Sequence, residues 1–338
     1  MNSWEQKTLS DCCVSIADGD HQPPPKAKTG VPFVTISNID ATNHFDFSNT
    51  MFVPLEYYEN LDEKRKAKKN DILYSVVGSF GIPVFIKEDK PFVFQRHIAI
   101  LRPNERIVPR FLYYSMLSKD FYAKADAAAI GAAQRTVSLS ALRNMKIDVP
   151  PIETQEKIAS VLSAYDNLIE NNQKQIRLLE EAARRLYKEW FVDFRFPGHE
   201  SVTITDGVPQ GWNVKSIDDV FQIKYGKTLP SSKISMSEEY PVYGASGVIG
   251  YYSQKNCEDY VTLITSRGSN SGDISRTHDK KSFVTNNSFI VQAYSPCYGL
   301  PYVYETMLCM DFKSICTGSA QPQLTNNSIR ACLKKRVK

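Results

Sequence analysis

No Cys-x-x-Cys pair occurs among the seven cysteines of this 338-residue sequence, and no apolar signal segment precedes them. An odd number without pairing argues against a disulfide framework and for reduced thiols, as expected of a cytoplasmic chain. No run approaches the roughly 18 apolar residues of a membrane span. The histidines, His21, His44, His97, His199 and His278, are scattered without metal-ligand spacing. They read as surface or structural residues. A G-x-x-x-x-G-K-S/T loop is missing, which excludes a P-loop ATPase. The glycine pairs in Gly78-Ser-Phe-Gly81 and Gly268-Ser-Asn-Ser-Gly272 lack the strand–turn–helix setting of a dinucleotide site and read as loop turns. Neither an Asn/Asp-Pro-Pro-aromatic methyltransferase motif nor a Pro-Asp with Glu-x-Lys at nuclease spacing is found. An autonomous active site with its own cofactor or metal is therefore not expected.

What is present begins with a long helical run from Ile152 to Phe191, opened by Pro150-Pro151 and free of glycine and proline. Read with 4-3 spacing, its seam is Ile158, Leu162, Tyr165, Ile169, Asn172, Ile176, Leu179, Ala183, Leu186 and Trp190, in which Asn172 alone is polar. A 3.5-residue repeat held this long marks a coiled-coil seam. At about 1.5 Å per residue the helix reaches roughly 60 Å, so it is a spacer as well as a packing surface. Glu153 and Glu156 suit the positive end of its dipole, and Glu180-Glu181 are assigned to its solvated face.

Both sides of this helix read as β-rich. The 18 tyrosines and 17 phenylalanines suit strands and half-buried loops. Strand-like runs in the first half are Val31 to Ile36, Asp71 to Val77, Ile82 to Ile86 and His97 to Leu101. Arg110 to Ser118 and Phe121 to Ala129 suit helices, and Gly19 to Gly30 an exposed loop. After the long helix, residues 196–210 have linker composition, and a second β-rich region opens at Gly211-Trp212.

The two regions resemble one another. Ser3-Trp4 answers Gly211-Trp212, Leu9-x-Asp11 answers Ile217-x-Asp219, and Phe111 to Leu117 answers Tyr302 to Leu308. Gly131-Ala-Ala-Gln-Arg-Thr-Val-Ser-Leu-Ser-Ala-Leu-Arg143 aligns without a gap to Gly318-Ser-Ala-Gln-Pro-Gln-Leu-Thr-Asn-Asn-Ser-Ile-Arg330. Order and direction agree throughout, which points to a duplication. In the second copy, resemblance ceases after Arg330. The last strand, the Pro-Pro and a second helix are expected to be missing, with residues 331–338 a non-homologous tail.

With catalysis set aside, recognition remains. A net charge of only +4 requires local basic patches for any nucleic-acid role. Base edges are read by Arg, Lys, Asn and Gln held in register by phosphate contacts. Both halves offer such residues on loops: Lys26, Lys28, Ser79, Gln95, Arg96, His97, Gln134 and Arg135 in the first. The second has Lys224, Lys227, Lys233, Arg267, Ser269, Asn270, Asn286, Asn287, Gln321 and Gln323, with Tyr225, Tyr243 and Tyr252 as aromatic edges.

At this point the sequence resembles a specificity subunit of a Type I restriction–modification enzyme. The likeness is most specific from Val149 to Glu170, where Gln155, Ile158, Ala159, Leu162, Asp166, Leu168 and Ile169 answer the family pattern. Leu178 to Phe191, closing in Trp190-Phe191, and Asp219-Val220 after Gly211-Trp212 add to it. The resemblance implies an α+β chain of two β-rich target recognition domains joined by a long coiled-coil-type helix, the distal helix being missing. Domains are expected at 1–149 and 211–330 (incomplete), with the central conserved helix at 150–195 and a linker at 196–210. It further implies a non-catalytic subunit that binds a bipartite double-stranded DNA site. Its partners would be a methyltransferase subunit binding S-adenosylmethionine and a motor–restriction subunit using ATP and Mg²⁺. The seam at Ile158, Leu162, Tyr165, Ile169, Asn172, Ile176, Leu179, Leu186 and Trp190 becomes the subunit interface. Without a distal helix it invites a second truncated specificity chain or leaves an inactive product. Rival readings are a coiled-coil scaffold binding protein without DNA affinity, and a nuclease or methyltransferase acting alone.

Overall fold

The computed structural model describes residues 4–21, 23–132, 134–318, 322–333 and 336–337. The first of two units, Met1–Asn172, opens with β1 (Glu5–Thr8), α1 (Leu9–Cys12), β2 (Cys13–Asp18), β3 (Val31–Val34), β4 (Met51–Val53) and α2 (Leu55–Glu59). It continues through β5 (Ile72–Ser75), β6 (Pro83–Phe85), β7 (Val93–Phe94), β8 (Ile98–Pro103), α3 (Pro109–Leu117), α4 (Lys119–Ala128), α5 (Leu139–Asn144) and β9 (Lys146–Val149). The 36-residue helix α6 (Ile152–Tyr187) follows, its last residues belonging to the second unit.

An antiparallel sheet of order β2-β8-β5-β6 forms the centre of the first unit. Every residue of β5 is buried. Ile72 and Tyr74 pack with Leu9, Leu112, Met116 and Leu142 on one face, and Leu73 with Val34, Phe94 and Ile100 on the other. A strand covered on both faces needs a continuous apolar run rather than alternation, which is why Ile-Leu-Tyr reads as it does. A smaller sheet, β4-β3-β7, carries one parallel pairing, and β1 pairs with β9.

The second unit, Gln173–Lys338, holds β10 (Ile204–Thr205), β11 (Val208–Pro209), β12 (Lys215–Ser216), α7 (Ile217–Val220), β13 (Phe221–Tyr225), β14 (Tyr240–Gly244), β15 (Gly247–Tyr252) and β16 (Thr262–Thr265). After these come β17 (Ile274–Arg276), β18 (Phe283–Val284), β19 (Ser288–Ala293), α8 (Leu300–Leu308), α9 (Asn326–Leu333) and β20 (Arg336–Val337). Its sheets, β13-β19-β16-β17 and β15-β14-β18, repeat the strand order of the first unit, including the parallel pairing of β14 with β18. The opening short helices are both fixed by a capping box, Thr8 with Asp11 and Ser216 with Asp219. Leu112 and Met116 of α3 are matched in burial by Val303 and Met307 of α8. The fold is therefore α+β, one β-rich architecture built twice with a long helix between the copies in the sequence.

Several expectations are corrected. The strand thought to be missing from the second copy is present: Arg336–Val337 pairs antiparallel with Lys215–Ser216, as β9 pairs with β1. Backbone pairing needs no side-chain likeness, so sequence comparison was blind to it. Residues 196–210, expected as linker, contain the β10–β11 hairpin. Asp206 and Gly207 both take positive φ (53° and 73°), the type I′ requirement that an Asp-Gly pair meets. The strand from Val31 stops at Val34, because Thr35 and Asn38 cap a 3-10 turn over Ile36–Asn38. Gly19 and Asp20, placed in an exposed loop, are buried. The α-helical geometry of α6 ends at Tyr187, and a π-turn over Lys188–Val192 carries Trp190.

The coiled-coil seam is not the face on which α6 rests. Leu162, Tyr165, Ile169, Asn172, Ile176, Leu179, Ala183 and Leu186 are exposed, Leu179 to 69%, while Ile158 and Trp190 are half-buried. In the first unit the helix is held through Gln155, Ala159, Asp166 and Glu170. Asp166 accepts from the Tyr114 hydroxyl (2.6 Å), and Glu170 pairs with Lys87 and His44. In the second unit it is held through Glu180, which pairs with Arg276 (3.5 Å), and through Tyr187, bonded to Thr306 (3.0 Å). Glu180 is thus not simply solvated. Gln155 apart, each of these positions lies one residue, about 100°, round the helix from a seam position, and they form a largely polar stripe.

Candidate nucleic-acid interface

Three turns of the first unit converge beyond the end of β5. The Val76 N–H donates to the His97 carbonyl (2.8 Å), Gly78 N–H to the Arg135 carbonyl (2.9 Å), and Val137 N–H to the Val76 carbonyl (2.8 Å). Ser79, the Gln95-Arg96-His97 turn and the Gln134-Arg135 turn are thereby stitched together. Ser79, Arg96, Gln134 and Arg135 are exposed, and Gln95 and His97 half-buried. The Arg135 guanidinium binds the Asp126 carboxylate and lies 5.3 Å from the centre of the Phe80 ring, which stacks on Tyr122. Partial burial, then the neighbouring Arg96 charge, pushes the His97 imidazolium below the usual histidine range, favouring the neutral ring at pH 7. Lys26 and Lys28 are exposed elsewhere, flanking Ala27, which bridges to Phe52 on β4.

Sequence reasoning missed the groups beside this cluster. The Asp20 N–H donates to the Phe94 carbonyl (2.9 Å) and its carbonyl accepts from Arg96 N–H (3.0 Å), so Asp20 adjoins the middle turn. Its buried carboxylate accepts from Tyr57, with Arg65 4.0 Å away and Asp18 paired to His21. Burial, then Asp20, pushes the Tyr57 hydroxyl up to about 12. The available signal was Gly19, where a Cβ would lie 2.4 Å from the Phe94 carbonyl oxygen. Close backbone approach demands glycine there.

The second unit reproduces the frame. Ser266 N–H donates to the Asn287 carbonyl (2.8 Å), Gly268 N–H to Pro322 (3.1 Å), Leu324 N–H to Ser266 (2.8 Å), and Asn286 N–H to Lys227 (3.1 Å). Gly226 matches Gly19, its Cβ position lying 2.2 Å from the Thr285 carbonyl oxygen. The frame gathers Arg267, Ser269, Asn270, Asn286, Asn287, Lys227 and Gln323. Arg267, Ser269 and Lys227 are exposed, and the others half-buried. Gln323 bridges to Arg267, and Asn270 donates to Ser246 (3.3 Å). Lys224 is exposed along β13, Lys233 sits in a separate 3-10 turn, and Gln321 lies outside the described residues. The tyrosines serve packing instead of offering free edges. Tyr243 is buried and bonded to Asp279 (2.8 Å), Tyr225 stacks on Phe289, and Tyr252 lies against Phe283.

One frame is built twice, with different polar side chains at the matched turns. The family model for the Type I restriction modification DNA specificity domain matches residues 1–181 and 209–332, and the chain belongs to that family. It is 28% identical over 247 residues to the Type I restriction enzyme MjaIX specificity subunit of Methanocaldococcus jannaschii, covering 68% of this chain and 54% of that one. With the putative MjaX specificity subunit of the same organism it shares 30% over 253 residues, covering 70% and 57%. The chain thus spans about half the length of the curated relatives it matches. The crystal structure of a Type-I restriction-modification system S subunit from M. genitalium shares the fold, with a TM-score of 0.60 at 20% identity over 99% of this chain and 84% of that chain. Among the described residues no group of His, Cys, Asp and Glu could hold a metal ion, and no helix is long and apolar enough to cross a membrane.

Proposed function

We propose that this chain is a non-catalytic subunit that reads double-stranded DNA for a Type I restriction–modification enzyme. The matched turn clusters carry the reading. Gln95-Arg96-His97 in one unit is Thr285-Asn286-Asn287 in the other, Ser79-Phe80 is Ser269-Asn270-Ser271, and Asp20 is Lys227. A constant frame with changed edge-reading groups suits two different short base sequences, hence a bipartite site with one part per unit. The family membership and the names of the curated relatives support the role. In this reading S-adenosylmethionine belongs to a methyltransferase subunit, and ATP with Mg²⁺ to a motor–restriction subunit. The exposed seam of α6 favours association through a further helix, on a partner subunit or a second specificity chain.

Two experiments test the proposal. Affinity of the chain, alone and with a methyltransferase subunit, is measured against duplex DNA at two ionic strengths. Binding that weakens steeply with salt supports the reading, and absence of DNA affinity favours the protein-binding scaffold. Exchanging residues 1–149 for another recognition domain should alter one half of the methylated motif. Change in both halves, or in neither, would refute the division of labour.

A further inference from the structure

The two units keep one frame and change its side chains, and at one corner a set of side chains changes together. Beside the turn after β5, Gly78 N–H donates to the Arg135 carbonyl as Gly268 N–H does to the Pro322 carbonyl. Gly81 N–H donates to the Ser75 carbonyl (3.0 Å) as Gly272 N–H does to Thr265 (2.8 Å), which sets Phe80 against Ser271. Ala129 N–H donates to the Asp126 carbonyl (3.3 Å) as Cys316 N–H does to Lys313 (3.2 Å), which sets Asp126 against Lys313. Arg135, Phe80 and Asp126 of the first unit are thus Pro322, Ser271 and Lys313 of the second. The backbone bonds survive the exchange, so the frame does not need these side chains.

In the first unit they fix one guanidinium. Arg135 Nη1 donates to the Asp126 carboxylate and Nη2 to the Asp126 carbonyl, so one residue holds both ends of the fork. The guanidinium lies over the Phe80 ring, and Phe80 is itself stacked on Tyr122 with the ring planes 9° apart. Gly81 backs Tyr122, since a Cβ there would come within 2.6 Å of that ring. Phe80 is buried, whereas the Arg135 side chain is 43% exposed. Its remaining N–H groups meet no acceptor among the described residues.

Charge and direction point the same way. The Asp126 carboxylate offsets the charge that would draw a phosphate, so Arg135 is a poor anchor for the DNA backbone. A guanidinium held flat and aimed suits the paired acceptors N7 and O6 of guanine, which it meets with two N–H groups at once. Arg96, on the neighbouring turn, is exposed and makes no ion pair among the described residues, the arrangement that suits a phosphate. We propose that Arg135 is a specificity-determining residue that reads a guanine through the major groove, in the half of the DNA site assigned to the first unit. Asp126 and Phe80 are its positioning residues. Pro322 offers no donor at the matched place, so the other half carries no guanine requirement from this corner. The inference rests on the DNA-reading role proposed above.

The test uses the full chain with a methyltransferase subunit. The motif methylated by the unaltered complex is compared with that of Arg135→Ala, the half belonging to the first unit being assigned by the exchange of residues 1–149. One guanine position of that half is expected to lose its requirement, with the other half unchanged. On duplex carrying the unaltered motif, Arg135→Ala should weaken binding about ten- to hundredfold and leave the salt slope nearly unchanged. Replacing that guanine by 7-deazaguanine, which lacks the N7 acceptor, should weaken the unaltered protein about tenfold and Arg135→Ala not at all. Asp126→Ala should blunt discrimination at the same guanine while strengthening binding to random duplex, which loss of a merely structural contact would not do. A first half without guanine, or an unchanged motif in Arg135→Ala, overturns the proposal. So does a reduced salt slope with the motif intact, which would make Arg135 a phosphate contact. Each of these results leaves the DNA-reading role standing, whereas a complex that binds no DNA removes both. If Arg135→Ala does not fold, each guanine of that half is replaced by 7-deazaguanine in turn against the unaltered chain, and indifference at every position overturns the assignment.

Discussion

The two units share a sheet order, a capping-box entry and a stitched set of turns, yet they grip opposite ends of α6. The first holds its start through a buried amide, Gln155, whose polar atoms are all bonded. The second holds its end through aromatic packing, with Tyr187 and Phe191 against Tyr302, and Phe191, Phe194 and Phe196 against Trp212. Trp4, which stands where Trp212 stands, is 52% exposed. A duplicated frame can therefore be specialised at its periphery without altering its core. The sheet needs only apolar volume at matched positions, whereas each helix end needs particular partners.

The largest effect that would sharpen this contrast is expected from Gln155→Leu. It leaves the Val108 N–H and two carbonyls without a partner in a buried place, at a cost of about 1–3 kcal/mol for each group. Hydrogen exchange should show the loss in the first unit only, and equal loss in both would break the comparison. Gly19→Ala and Gly226→Ala come next. Each drives a Cβ into a carbonyl, and each should destabilise its own unit by about 1–3 kcal/mol, similar in size if the frames are equivalent. Denaturant titration of the two variants checks this. A smaller effect separates the turn clusters: Arg96→Ala should lower the slope of log affinity against log salt by about one, and Asn286→Ala should leave it unchanged.

The smallest expected effect concerns a matched pair on α3 and α8. Tyr114 donates to Asp166, whereas Glu305, at the corresponding position, has a buried Oε2 without a partner among the described residues. Burial raises the Glu305 carboxyl above the usual range, and the Arg184 charge only partly offsets it. A folded-state pKa above the unfolded one gives stability that is full at low pH and is lost as pH rises through the folded value. Glu305→Gln should accordingly raise the melting temperature at pH 8 and change it little at pH 4. A pH-independent shift would mean that the carboxyl is not the strained group.

Much of the frame was legible. The Gly131–Arg143 alignment predicts the paired turns, and the bridges Ile130–Thr136 and Thr317–Gln323 fall in its register. Most of the loop residues chosen for polarity lie on the stitched turns. Tyr243 misled, because a tyrosine in a strand is as readily a buried, hydrogen-bonded wedge as an exposed edge. Asp20 and Tyr57 were out of reach, since they are 37 residues apart and joined only by folding.

The seam of α6 is a property of residue order, because the spacing of Leu162, Ile169, Ile176 and Leu179 places them on one stripe in any helix this chain forms. The stripe on which the helix actually rests is polar and without apolar period: Gln155, Asp166, Glu170, Glu180. Its partners, Val108, Tyr114, Lys87 and Arg276, are remote in sequence. Apolar periodicity follows from local geometry and can be read in advance. Hydrogen bonds and ion pairs depend on which distant groups folding brings within about 3 Å, so only the tertiary structure decided which face of the helix is held and which is left open.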